Sequence, residues 1–318
     1  MERLTLRVIE AEPAADRVRR LVLAAPDGTP LPAFTPGAHL KVSLPDGESR
    51  HYSLVDFEGQ AGAPKTYMLG VLLERESKGG SRYMHGLKPG DTVAVSAPKN
   101  DFTLAADDSP ALLIAGGIGV TPIVSMASAL KAAGRPYRMV YAARSAEAMA
   151  FAGDLAARHG DALVLHHDDR QGGPLDLKPL IEGAADGAHI YVCGPRPMIE
   201  AAREIADAAG IPHDHIHFEL FQTSVHDEGE TPFEVEVASS GQVFTIPPGR
   251  TIIEVLEEEG IDLMYDCQRG DCGICQTEVL EGEPDHRDVV LTEAERASGK
   301  VMQICVSRAK SPRLKLDL

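Results

Sequence analysis

The chain has 318 residues and a formal net charge of −17, with 43% hydrophobic and 25% charged residues. That length gives room for two or three domains with buried cores, and the profile is that of an ordinary globular protein. The acid excess argues against nucleic acid as a partner, because phosphate binding needs a basic face.

Residues 1–105 predict an antiparallel β-barrel. Leu4-Thr-Leu-Arg-Val-Ile alternates with period two. Further strands are predicted over 18–23, 39–43, 50–54, 66–73 and 92–96. Turn signals punctuate them: Pro26-Asp-Gly, Thr35-Pro-Gly, Pro45-Asp-Gly and Lys88-Pro-Gly-Asp. On one of these strands lies Arg50-His51-Tyr52-Ser53. Arginine binds phosphate bidentately, tyrosine offers a flat face to an isoalloxazine ring, and serine adds a hydroxyl. An exposed strand of mixed polarity would read the same way. Ser77-Lys78-Gly79-Gly80-Ser81 supplies free N–H groups, a cation and a hydroxyl, suited to a phosphate or to a plain hairpin.

From Ser109-Pro110 onward the texture changes to alternating strands and helices. Strands are predicted over 111–115, 138–142, 162–166 and 189–192, and helices over 122–133, 146–159 and 197–209. This pattern implies a parallel sheet covered on both faces. The stretch 111–130 carries no charge, but its glycines, Pro122 and serines read as a strand, a turn and a helix rather than a membrane span. Gly116-Gly117-Ile-Gly119-Val120-Thr121-Pro122 sits at a strand-to-helix turn, where glycines admit a phosphate to the backbone and to the helix N-terminus. The G-x-G-x-x-G order is not met, so this turn alone is also compatible with a structural role. Cys193-Gly194-Pro195-Arg-Pro-Met198 again follows an apolar strand and opens a helix. Two glycine-bearing strand ends in one sheet predict a crevice that holds a nucleotide. Arg144 and Ser145 stand where an adenosine ribose would lie. His213, His215 and His217 alternate and read as one face of a solvated strand.

Residues 223–232 read as a polar linker, 233–237 and 243–246 as a hairpin, and 251–259 as a short acidic helix. Residues 231–318 carry a net −8, against −9 for the 230 residues before them. Then come Cys267, Cys272, Cys275 and, far downstream, Cys305. C-x4-C-x2-C with a distant fourth cysteine is the plant-type ligand set for a [2Fe–2S] cluster. Gly270 and Gly273 let the backbone wrap a compact object. An odd total of five cysteines fits a disulfide framework poorly, and one C-x2-C fits structural zinc poorly.

Over its whole length and in the order of its parts, the chain resembles the phthalate dioxygenase reductase family, which includes the vanillate O-demethylase reductases. Arg50-His-Tyr-Ser53 is similar to the family's R-x-Y-S flavin motif. Lys78-Gly-Gly-Ser81 resembles its phosphate loop, and Gly116–Pro122 and Cys193-Gly-Pro195 its nicotinamide motifs. Val71 and Leu72 follow Gly70 where some members place a basic residue, and either a backbone group there or Lys78 would take its place. The resemblance implies an FMN-binding barrel (1–105), an NAD-binding α/β domain (106–224), and a linker with a plant-type β-grasp ferredoxin domain (225–318). It implies FMN, the [2Fe–2S] cluster and NADH as cofactors, with Arg144 able to accept the 2′-phosphate of NADPH. Thr121 and Cys193 are expected where nicotinamide C4 meets flavin N5, and Phe221 near the flavin ring.

A hydride brings two electrons and the cluster accepts one, so a flavin belongs between them. The expected function is an electron-transfer reductase for a terminal Rieske oxygenase. The alternatives are another acceptor, such as a cytochrome P450 or a separate ferredoxin, and a redox-sensing module. With no signal-peptide pattern after Met1-Glu-Arg-Leu-Thr, a cytoplasmic protein is expected, monomeric and without a membrane partner.

Overall fold

The computed structural model describes residues 3–59, 62–75, 77, 79–221 and 229–318. The chain divides into two compact units, Met1–Glu219 and Leu220–Leu318.

In the first unit, six strands close a barrel in the order β1-β2-β5-β4-β3-β6. They are β1 (Arg3–Ala15), β2 (Val18–Ala24), β3 (His39–Ser43), β4 (Ser49–Val55), β5 (Thr66–Leu72) and β6 (Thr92–Ser96). Alternation fills the interior: Leu6 and Val8 are buried while Thr5 and Arg7 are exposed, and Leu21, Leu23, Leu40, Leu54 and Leu69 meet them. A short helix, α1 (Gly80–Gly86), follows β5 and buries Met84 in the same core.

A parallel sheet follows in the order β11-β10-β7-β8-β9. Its strands are β7 (Ala111–Gly116), β8 (Tyr137–Ala143), β9 (Leu163–His167), β10 (His189–Cys193) and β11 (Ile216–Glu219). All six residues of β7 are buried, as a central strand covered on both faces requires. The uncharged stretch is β7, a 3-10 turn and helix α2 (Val120–Ala132). Gly134, at φ +66°, closes that helix. No helix among the described residues is long and apolar enough to cross a membrane.

The helix predicted over 146–159 is broken. A 3-10 turn at Ala146–Ala148 is followed by Phe151 at φ 63°, and α3 (Ala152–His159) begins only there. The cause is packing. Met149, Ala150 and Phe151 leave the helical path to fill the core that the sheet shares with barrel residues Val18, Val55 and Phe102. Phe151 meets Phe57 edge-on at 5.7 Å. Three more helices, α4 (Asp168–Gln171), α5 (Lys178–Glu182) and α6 (Arg196–Ala208), complete this half.

Helix α2 is pinned to β4 by one hydroxyl. Ser125 Oγ donates to the Leu54 carbonyl at 2.6 Å and accepts the Asp56 N–H at 2.9 Å. Ser125→Ala is expected to strand both groups and to lower stability by about 1–3 kcal/mol, measured by denaturant unfolding.

The histidines differ from the sequence expectation. His213–His215 form a 3-10 turn, and only His217 lies on β11. His217 stacks on Tyr191 at 4.5 Å and meets His189 Nδ1 at 2.9 Å, while His215 stacks on His189 at 4.3 Å. His215 and His217 join His189 and Tyr191 in an aromatic cluster rather than one solvated strand face. Burial, then the neighbouring His189 and His215, hold the His217 pKa at about 4 against an ordinary 6.5. The unfolded chain therefore takes up a proton between pH 6.5 and 4 that the folded chain refuses. Stability present above pH 6.5 is lost as pH falls through that window. His217→Phe is expected to keep the stacking and to lose less stability than wild type between pH 7 and 5 in denaturant melts.

The second unit builds a mixed sheet in the order β13-β12-β18-β14-β16 from β12 (Phe233–Val237), β13 (Val243–Ile246), β14 (Gln276–Glu281), β16 (Val301–Gln303) and β18 (Arg313–Leu316). A two-stranded pair, β15 (Pro284–Asp285) with β17 (Arg308–Ala309), lies outside it. Strands β12 and β18 run parallel. Helices α7 (Ile252–Glu258) and α8 (Glu293–Ser298) each start with a capping box, Thr251 with Glu254 and Thr292 with Glu295. Ile252, Ile253 and Leu256 of α7 enter the core with Val235, Leu314 and Leu316. Of the polar linker predicted over 223–232, residues 223–228 lie outside the described residues.

Candidate redox sites

The two glycine-bearing strand ends come together at the carboxyl edge of the parallel sheet. Strands β7 and β10 are neighbours, with Ala115 paired to Cys193. A Cβ on Gly119 would overlap the Cys193 carbonyl oxygen and come 2.8 Å from the Gly194 nitrogen. A Cβ on Gly116 would come 2.8 Å from both Met198 Sδ and Pro195 Cδ, and one on Gly194 2.8 Å from the same sulfur. Gly116, Gly119, Cys193, Gly194, Pro195 and Met198 thus form one tight-walled site, and Gly117 takes φ +55° beside it. Val120, Thr121 and Pro122 open α2 and are buried. Thr121 Oγ1 donates to the Ile118 carbonyl at 3.0 Å. Its Cγ2 lies where a Cβ on Gly70 of β5 would come within 2.8 Å. The turn that opens α2 therefore abuts a barrel strand, a juxtaposition that the lone Gly70 did not announce in the sequence.

On β4, Arg50 and Tyr52 share one face by alternation, and His51 and Ser53 lie on the other. The His51 ring is 4.7 Å from that of His39. Burial pushes the Tyr52 hydroxyl up to about 12, opposed by Arg50 and reinforced by Glu74. A Cβ on Gly80 would lie 2.7 Å from Arg50 Cγ, so Gly79-Gly80 at the start of α1 is apposed to the arginine. Ser81 Oγ accepts the Glu74 N–H at 3.1 Å and donates to Ser77 Oγ at 2.9 Å. The Val71 carbonyl is engaged by His85 Nε2 at 2.8 Å, and Leu72 is half-buried beside it. Lys78 lies outside the described residues. The arginine, the tyrosine face and the glycine cradle fit a flavin with a terminal phosphate.

Arg144 and Ser145 follow β8 at the same carboxyl edge of the sheet. The Asp169 N–H bonds the Arg144 carbonyl at 3.1 Å. Hydrogen bonds from its own backbone N–H and then from Ser145, with the nearby Arg170 and His167, hold Glu147 below the usual carboxylate range. Arg170, a second cation at this edge, has no sequence signal beyond its charge.

In the second unit Cys267, Cys275 and Cys305 are buried and Cys272 is partly exposed. Cys267 is in hydrogen-bonding contact with Cys272 and Cys305, and Cys275 with Cys305. These contacts pull the Cys267 thiol below its ordinary range and push Cys272 and Cys305 up. Such crowding suits thiolates that share a cationic centre. The Arg269 N–H points at Cys267 Sγ at 3.3 Å, and peptide N–H groups at Ile274 and Cys305 serve Cys272 and Cys275. Gly270 takes φ +79°, where a Cβ would come 2.6 Å from Val306 Cγ2. The donor set and the sulfur-directed N–H groups fit a two-iron cluster. Phe221 is the second residue of this unit and is 37% exposed.

A closed barrel joined to a parallel sheet with a glycine-bearing edge, and a plant-type cysteine loop on the same chain, defines a pyridine-nucleotide-dependent flavin iron–sulfur oxidoreductase. Comparison with known proteins agrees. Residues 235–310 match the model of the 2Fe-2S iron-sulfur cluster binding domain, and residues 97–216 that of the N-terminal domain of dimethylamine monooxygenase subunit DmmA-like proteins. The carnitine monooxygenase reductase subunit of Escherichia coli (strain K12) is 38% identical over 98% of both chains. The phthalate 4,5-dioxygenase oxygenase reductase subunit of Pseudomonas putida is 38% identical over 98% of this chain and 96% of its own. The solved structure of phthalate dioxygenase reductase, described as modular for electron transfer from pyridine nucleotides to [2Fe-2S], matches with a TM-score of 0.72 at 36% identity, covering 99% of this chain and 98% of that one. The chain belongs to the phthalate dioxygenase reductase family, the reductase components of oxygenase systems, whose cofactors are FMN, NADH and a [2Fe–2S] cluster.

Proposed function

We propose that this protein takes electron pairs from NADH and delivers them singly to a terminal Rieske-type oxygenase. The observation that carries the reading is the gathering of Cys267, Cys272, Cys275 and Cys305, with peptide N–H groups turned to their sulfurs. The domain boundaries are 1–105 for the FMN barrel, 106–224 for the NAD domain and 225–318 for the linker and β-grasp ferredoxin. FMN, when bound, supplies the conversion between paired and single electrons. Arg50 and the Gly79-Gly80-Ser81 turn, with Lys78, hold its phosphate, while Tyr52, His51, Ser53 and the Val71-Leu72 backbone border its ring. Gly116, Gly117, Gly119, Val120 and Pro122 admit the nicotinamide nucleotide, and Cys193, Gly194, Pro195 and Met198 form the opposite wall. Thr121 and Cys193 orient the nicotinamide, and Phe221 yields its place by the flavin when the nicotinamide enters. Arg144 and Ser145 take the adenosine ribose. The protein works as a cytoplasmic monomer.

Anaerobic titration of the holoprotein tests this. One equivalent of NADH is expected to bleach flavin and cluster absorbance together, NADPH to act more weakly, and an added oxygenase to restore both. Purified holoprotein lacking bound flavin and acid-labile sulfide, before and after reconstitution, would refute the reading.

A further inference from the structure

Two charged side chains stand inside the loop between Cys267 and Cys272, and neither reaches water. Arg269 and Asp271 keep 5% and 4% of their side-chain surface, with Nε 3.2 Å from Oδ2. The same Oδ2 accepts the Leu220 N–H at 3.0 Å, and Leu220 is fully buried. The carboxylate also lies against the Cys267 side chain, whose Sγ accepts the Arg269 N–H. Asp271 is therefore held from three sides and cannot swing into solvent. Burying two ions costs several kcal/mol each, and apolar side chains of similar volume would fill the loop with less penalty. A role beyond filling space accounts for keeping both. Fixed charge beside an iron–sulfur centre acts on its affinity for an electron, because net charge and hydrogen bonds to the sulfurs set the potential.

We propose that the buried Arg269–Asp271 pair is a positioning device that sets the one-electron potential of the cluster, an inference that rests on the cysteine ligand assignment above. The two side chains carry opposite charge, so removing either one changes the net charge within the ligand loop by one unit. Asp271→Asn keeps the shape and an acceptor for the Leu220 N–H but removes one negative charge, which favours the added electron. Arg269→Gln removes one positive charge, which opposes it. The double variant restores the net charge.

The test is the midpoint potential of the holoenzyme, followed by EPR at one pH and ionic strength. Asp271→Asn is expected to shift it upward and Arg269→Gln downward. Each shift should be at least tenfold in the one-electron equilibrium constant, about 59 mV, and the double variant should return close to wild type. Single variants that do not move, or that move in the same direction, overturn the tuning role while a normal wild-type signal leaves the ligand assignment standing. Wild-type holoprotein without a [2Fe–2S] signal removes both. Should Asp271→Asn fail to hold a cluster, Arg269→Gln is compared with Arg269→Lys. A downward shift in the first and none in the second supports the proposal, and equal shifts overturn it.

Discussion

Cys272→Ser is expected to abolish electron delivery to a one-electron protein acceptor while leaving reduction of the flavin by NADH largely intact. Cys272 is the one partly exposed member of the four cysteines, so its exchange disturbs the core of the second unit least. A serine hydroxyl does not replace the thiolate that iron requires. The residues proposed to hold flavin and nicotinamide lie in Met1–Glu219, and the cysteines in the separate unit Leu220–Leu318. Stopped-flow mixing with NADH should show flavin bleaching at the wild-type rate, and reduction of cytochrome c should fall to background. If flavin reduction disappears as well in a folded variant, the order of the relay is wrong.

Gly119→Ala is expected to slow flavin reduction by NADH by about 10²-fold or more, the penalty for displacing a reacting partner by about an ångström. Gly119 has an ordinary helical φ of −58°, so alanine carries no backbone strain there. The obstacle is contact: the new Cβ would lie 2.5 Å from the Cys193 carbonyl carbon and 2.8 Å from the Gly194 nitrogen. These are backbone atoms, which cannot rotate aside, and relief must come from prising β10 away from α2. Gly153→Ala is the control, since nothing lies within 4 Å of its Cβ position. Dithionite, which needs no nucleotide site, should reduce both variants alike. A wild-type NADH rate in Gly119→Ala would show that the two strand ends do not form the nicotinamide site.

Much of this architecture was legible in the residues because the relevant physics is local. Alternation marks the barrel strands, apolar runs mark β7 and β10, and cysteine spacing marks the ligand loop. What escaped is what depends on distant partners. Phe151 sits in a segment that reads as helix, and only the core shared with Val18 and Val55 pulls it into a left-handed turn. Ser125 is one of the serines of the uncharged stretch, and its two hydrogen bonds, to Leu54 of β4 and to Asp56 just after it, are visible only once the strand is in place. His213, His215 and His217 alternate like a strand, yet the first two belong to a 3-10 turn, from which His215 stacks on His189 of β10. Nothing in the spacing of the cysteines marks Arg269 and Asp271 as buried, and their burial shows only once the loop is folded.

The core common to the barrel and the parallel sheet has a practical consequence. Val18, Val55 and Phe102 are nearly inaccessible and share one buried cluster with residues of α2 and the Met149–Phe151 turn. A fragment ending near residue 105 would present these side chains as a bare oily patch and would be prone to precipitate. The flavin portion cannot be harvested as a free-standing module for transplantation into another redox chain; it has to travel with the sheet.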